Sequence, residues 1–381
     1  MSAKASTVPA PPLPLAFFGA GMLGIGGAAL ALTCGALGGL ALFHLAAVGG
    51  FAMIAFGALY QFVPVVSMRP LRALRLGYVH LALALAGTAC IVGGFRSGAF
   101  SAVQLGGALH LAGALIEGGV LAATLRGGTP VVTARGAALA LAGFVAAAGL
   151  GIATAEAVVR GRGASALAAA HGAIALGGFF GALIVAVTFR LLRMFERYSL
   201  EVRGPSRALA VAGGSVVTAV WPRVGAALLG VAGALFLADL ATVARHRNPA
   251  YQRETFAYAT VSGIAGLAAA ILAVAGEMER AAVVALWLFV GTAVVGYLQR
   301  IVPFIWWIRR SRREGAQRIP TLGEMNETRL GTAALWAWAA GGVACAVDPL
   351  SRVAGGLALT SWLLLAAQLA RPFVLPAKSL P

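Results

Sequence analysis

The sequence Gly57-Ala-Leu-Tyr-Gln-Phe-Val-Pro64, at the end of a long apolar stretch, returns later in the chain as Gly296-Tyr-Leu-Gln-Arg-Ile-Val-Pro303. A degenerate third copy, Ala186-Val-Thr-Phe-Arg-Leu-Leu-Arg193, lies between them and carries arginine where the other two carry proline. The copies divide the chain into three comparable units. Because an internal repeat of this length determines the architecture, we predict three copies of one helical module.

The composition indicates that this module lies in a lipid bilayer. The chain of 381 residues is 60% hydrophobic and only 11% charged, with a mean hydropathy of +0.89. A soluble domain carries far more charge. Since one membrane span needs roughly 20 apolar residues, the length accommodates about twelve transmembrane helices.

Charged residues and Gly/Pro breaks divide the chain into twelve apolar spans, four in each repeat. We therefore predict an all-α polytopic membrane bundle that forms a single domain over 1–381, with a cytoplasmic tail at 1–13 and repeats covering about 15–126, 135–244 and 254–371. The shortest span is 207–221. The predicted spans are 15–37, 39–68, 74–95, 100–125, 136–158, 163–192, 207–221, 224–244, 254–276, 281–308, 330–347 and 353–370.

The basic residues predict the orientation. With twelve spans, 23 of the 29 lysines and arginines fall in one set of loops and tails. Because positive residues stay on the cytoplasmic side, both termini are expected inside a bacterial inner membrane. The net charge of +17 therefore indicates contact with anionic lipid, and no nucleic-acid partner is expected.

The cysteines narrow the choice of cofactors. Cys34, Cys90 and Cys345 all lie in apolar stretches and form no CxxC or CxxCH motif. A disulfide framework, a zinc finger and a covalently attached c-type heme are therefore unsupported.

Three histidines share one depth, in the outer half of the predicted bilayer: His44, His110 and His171. Three imidazoles at one level of a helical bundle suit axial ligation of heme iron or a copper site. They fit equally well with separate hydrogen bonds between helices. Of the other two, His80 is interpreted as a helix–helix contact and His246 as a solvated loop residue.

Two acidic residues also fall within spans. Glu117 follows His110 by seven residues, on the same face of the fourth span, and Asp239 lies near the inner end of the eighth. Glu117 is interpreted as a group that orients a ligating imidazole or relays a proton, or as a neutral packing residue.

The phrase His44-Leu-Ala-Ala-Val-Gly-Gly-Phe, together with the repeat ending at Pro64, resembles subunit I of the heme-copper oxidases over about 15–372. The resemblance implies an axial heme ligand at His44. However, the positions equivalent to His44 in the other units are Ala173 and Val283, and no histidine follows His246. A binuclear heme–copper centre is therefore not expected, and the chain is not a competent terminal oxidase on its own.

The sequence thus favours a heme-binding relative of the oxidase fold that binds heme b, with an incomplete copper site as a second option. Its expected role is electron transfer, binding of a diatomic gas such as NO or O2, or service as a subunit beside other membrane or cytochrome subunits. The alternatives are a cofactor-free structural or assembly subunit and, after it, a transporter.

Within the heme hypothesis, His44 is the first axial ligand, and His110 and His171 compete for the second position. His171 lies two residues before the position equivalent to His44. It is therefore rotated by roughly 200° around its helix, so we expect it to face another part of the bundle.

Overall fold

A computed structural model describes residues 12–126, 132–196, 204–246, 254–313 and 322–374, and all regular structure in these ranges is helical. The predicted tail lies outside them, except for Pro12 and Leu13. Eleven described helices are long and apolar enough to cross a membrane, and one shorter apolar helix joins them. They are α1 (Pro12–Cys34), α2 (Gly39–Ser67), α3 (Leu74–Ser97), α4 (Phe100–Leu125), α5 (Val132–Val159), α6 (Ser165–Glu196), α7 (Gly204–Val220), α8 (Pro222–His246), α9 (Glu254–Val274), α10 (Met278–Arg313), α11 (Thr328–Val347) and α12 (Arg352–Val374).

The predicted fold class is confirmed, and every predicted span coincides with a helix to within five residues at each end. The shortest, α7, has 17 residues and is about 25 Å long. Only Trp221 separates it from α8, and Gly225 of α8 approaches the backbone of Thr218 so closely that a Cβ would overlap it. The two helices form a tight antiparallel hairpin.

Three helices form the centre of the bundle: α2, α6 and α10. At least two-thirds of the most apolar 18-residue stretch of each of these helices is buried, against half or less in the other spans. The rings of Phe56 on α2 and Phe179 on α6 are 5.9 Å apart, and Phe51 on α2 lies 6.3 Å from Trp287 on α10. Since α10 also contacts α6, each central helix touches the other two.

The outer helices close around this centre. Consecutive helices pack against each other along the chain, and α12 returns to pack against α1. Trp362 of α12 donates its indole N–H to the carbonyl of Met22 on α1 at 2.7 Å, and Gly355 lies against Thr33. The last described helix therefore packs against the first and closes the ring of outer helices.

Each central helix contains one π-helical segment at the same place in its unit. The segments are Leu45–Phe51, Ile174–Gly181 and Val284–Gly291. They end 13 residues before Pro64 and 12 residues before Arg193 and Pro303, the last residues of the repeated phrase. The residues directly before them are His44, Ala173 and Val283, the three positions that the sequence repeat makes equivalent.

The first helix of each unit packs on the π-helical segment of the second. At Gly24 of α1 a Cβ would overlap the carbonyl of Gly49, and at Gly143 of α5 it would overlap the carbonyl of Gly178. In the third unit, Ser262 of α9 instead donates its hydroxyl to a carbonyl of the segment, that of Phe289, at 2.8 Å. Small residues thus bring the helices close enough to enclose the widened turn.

Replacing Gly24 by alanine tests this packing. The added methyl has no room against the backbone of Gly49, so Gly24→Ala should destabilise the protein by about 1–3 kcal/mol, as overpacking does. Thermal unfolding of the detergent-solubilised protein measures the effect. The control is Gly19→Ala on the same helix, because a Cβ there meets nothing within 4 Å. Equal melting temperatures for the two variants would show that the approach of α1 to α2 tolerates a side chain.

Candidate functional site

His44 lies on α2 directly before the first π-helical segment. Its Nδ1 is 2.9 Å from the carbonyl oxygen of Leu40, one turn earlier on the same helix. The ring packs against Phe95 near the end of α3, with 4.8 Å between the ring centroids. Because a carbonyl can only accept, Nδ1 carries the proton and donates it, which leaves the lone pair of a neutral imidazole on Nε2.

His171 on α6 is held in the same way, but by a neighbouring helix. Its Nδ1 donates to the carbonyl of Ala147 on α5 at 2.8 Å. The ring also lies against Gly151, where a Cβ would come within 3.1 Å of the ring atoms Cε1 and Nδ1. The lone pair of this neutral imidazole is likewise on Nε2.

The two imidazoles lie side by side. Their centroids are 6.1 Å apart and their planes are inclined by only 8°. The expectation that His171 faces another part of the bundle is therefore wrong. That expectation treated α6 as a regular copy of α2. The ring direction is instead determined by contacts of His171 with Ala147 and Gly151 on α5.

The rings of the pair are parallel but are not in close face-to-face contact. Rings in such contact would lie roughly 3.5–4 Å apart, the optimal distance between carbon atoms, and the centroids of His44 and His171 are 6.1 Å apart. The two imidazoles would suit a metal ion as donors, because metal-binding histidines usually donate their other ring N–H to a carbonyl or carboxylate.

His110 is not part of this pair. It is buried on α4, and its Nε2 is 3.2 Å from the hydroxyl oxygen of Thr88 on α3. Since Thr88 gives its own proton to the carbonyl of Ala84, its oxygen accepts from Nε2–H of His110. The lone pair of His110 is then on Nδ1, which has no protein partner.

The three same-depth histidines therefore do not form one three-ligand site. Among the described residues, no three His, Cys, Asp or Glu side chains are grouped so that they could hold a metal ion. His44 and His171 come together, whereas the ring of His110 contacts Thr88, Phe144 and the backbone at Gly87.

His80 makes the helix–helix contact expected of it. Its Nδ1 is 3.1 Å from the hydroxyl of Tyr60 on α2, and its ring packs against Phe17 and Phe56. It lies over Gly113 of α4, where a Cβ would come within 2.6 Å of the ring atom Cδ2 and 3.2 Å of Nε2. Nothing in the sequence pairs His80 with α4 except the position of Gly113, three residues after His110. The missing side chain of Gly113 leaves the notch that receives the ring.

Glu117 is fully buried on the same face of α4, and neither carboxyl oxygen has a protein partner. The described hydrogen bonds of His110 do not include Glu117, so its predicted role in orienting that imidazole finds no support. Asp239 forms an ion pair with Arg207 on α7 at 3.0 Å. His246 ends α8, and its Nδ1 bonds to the carbonyl of Thr242.

Gly113→Ala tests the packing of His80 against α4. The new methyl should displace the imidazole from Tyr60 and destabilise the protein by about 1–3 kcal/mol. A matched control is Gly119→Ala on the same helix, where a Cβ meets nothing within 4 Å. If the effect passes through the hydrogen bond, Tyr60→Phe should cost less in the Gly113→Ala background than in the wild type. Additive changes in the free energy of unfolding would contradict this coupling.

No protein-family model and no curated protein matches the chain.

Proposed function

We propose that this integral membrane protein transfers electrons through a heme b whose iron is ligated by His44 and His171. The observation that carries the proposal is the pair itself, two near-parallel imidazoles with centroids 6.1 Å apart. Both present Nε2 as the free nitrogen because both Nδ1 atoms donate to backbone carbonyls. The resemblance to heme-copper oxidase subunit I supports the choice of heme, since His44 occupies the position of an axial ligand there.

Ligation by two histidines would favour one of the roles expected from the sequence. A heme held by His44 and His171 would supply one-electron redox chemistry. With both imidazoles engaged by the iron, binding of NO or O2 would be disfavoured, so we propose electron transfer. The chain lacks the histidines that a binuclear heme–copper centre would need, and we do not propose dioxygen reduction.

The surrounding residues hold the two imidazoles in place. The carbonyls of Leu40 and Ala147 fix the tautomer and the ring orientation, and Phe95 packs against the ring of His44. Gly151 leaves the space that the ring of His171 occupies. With the predicted topology the pair lies in the outer half of the bilayer, within reach of a redox partner at the outer surface.

Absorption spectra of the purified protein test the proposal. We expect a Soret band in the oxidised protein and sharp low-spin α and β bands after reduction with dithionite, with one heme per chain. Metal analysis by mass spectrometry accompanies the spectra. If the protein contains copper but no heme, the heme proposal is wrong and a two-histidine copper site takes its place. A colourless, metal-free protein would overturn the proposal and favour the cofactor-free structural subunit.

Substitution of each histidine identifies the ligands. His44→Ala and His171→Ala should each lose the low-spin spectrum, whereas His110→Ala should keep it, because Nε2 of His110 is bonded to Thr88. Addition of imidazole to His44→Gly or His171→Gly should restore the spectrum, which a purely structural role would not allow. An unchanged low-spin spectrum in folded His44→Ala would refute the assignment.

A further inference from the structure

A second set of protonatable side chains lies between α2, α3 and α4, apart from the His44–His171 pair. His110, Gly113 and Glu117 follow each other on one face of α4 at helical spacing, and the ring of His80 lies in the notch at Gly113. The hydroxyl of Tyr60 bonds to the other side of that ring. Tyr60 and Glu117 are also close enough to interact electrostatically.

Glu117 is the residue in this set whose burial most needs an explanation. It is 0% exposed, and both its oxygens lack a protein partner. The ion pairs formed by the described residues do not include it. An ionised carboxylate without a counter-ion is very unfavourable in such surroundings, whereas the protonated acid avoids most of that cost.

The two imidazoles that lie on this face of α4, near Glu117, can take and return a proton. Nε2 of His80 and Nδ1 of His110 are both buried without a protein partner, and each imidazole has a defined bond at its other nitrogen. The packed helix α5 has two titratable side chains of known exposure, Arg135, which is exposed, and Glu156, which bonds to Gln104 and Arg160 at the far end. In the described part of α1 the one titratable side chain is Cys34, at the far end of the helix.

We propose that Glu117 is a proton-binding site inside the membrane, neutral at rest, which exchanges its proton through the His80–Tyr60 pair. When Glu117 releases a proton, its O–H bond breaks and an N–H bond forms on an imidazole nitrogen of His80. The return of the proton reverses both changes. A packing role alone would favour an apolar side chain here, because buried polar atoms without partners each cost about 1–3 kcal/mol. The proposal is independent of whether heme is bound.

Infrared spectroscopy of the full chain in lipid vesicles tests the proposal directly. At neutral pH the wild type should show the carbonyl stretch of a protonated carboxylic acid, above the amide band. Glu117→Gln should lose this band. The matched control, Glu156→Gln, should retain it, because Glu156 is ion-paired with Arg160. Absence of the band from the wild type would mean that Glu117 is ionised, and the proposal would fail.

Transfer into deuterated buffer distinguishes a proton-exchange site from a sealed packing acid. The band should shift to lower frequency while the protein stays folded, and Tyr60→Phe should slow this shift several-fold by removing one hydroxyl and no bulk. His80→Gln should slow it further, and its folded yield is checked by gel filtration. If the wild-type band does not shift, or if it shifts at the same rate in Tyr60→Phe and His80→Gln, the exchange route is refuted.

Discussion

The structure depends on close approach between helix backbones. In a bilayer, lipid offers no hydrogen bonds, so helices gain contact energy by packing and must satisfy their backbone groups internally. The backbone of a π-helical turn is wider than that of an α-helical turn, and its hydrogen-bond geometry is poorer. It therefore needs a neighbouring helix whose surface fits it. Gly24 and Gly143 provide that fit in the first two units, and the hydroxyl of Ser262 provides it in the third. These contacts hold each central helix against the first helix of its own unit.

The three units share the π-helical segment of their central helix but differ in the side chains around that helix. Gln299 occupies the position equivalent to Tyr60, and both face the first helix of their own unit. Gln299 donates to the hydroxyl of Tyr258 at 2.7 Å, a pair in which neither group exchanges protons readily near neutral pH. Tyr60 meets His80 instead. The same position of the repeat thus packs against a tyrosine in the third unit and against a protonatable histidine in the first.

Long apolar runs and the repeated phrase were sufficient to predict the span limits and the equivalence of His44 with Ala173 and Val283. The π-helical segments could not be predicted, because the run from Leu45 to Phe51 has no composition that distinguishes it from an α-helix. The pairing of His171 with His44 was also out of reach, since the rotation of α6 depends on its contacts with α5. The spacing of residues in the sequence predicts how deep a residue lies along its helix. It predicts the direction of a side chain within the bundle only when the helices are regular.

The closure of the bundle has a consequence for the order in which the protein is made. Trp362 and Gly355 on α12 contact Met22 and Thr33 on α1. Because α1 is synthesised before α12, this face of α1 stays without its partner until α12 has been made. A chain that stops before α12 would keep this face uncovered.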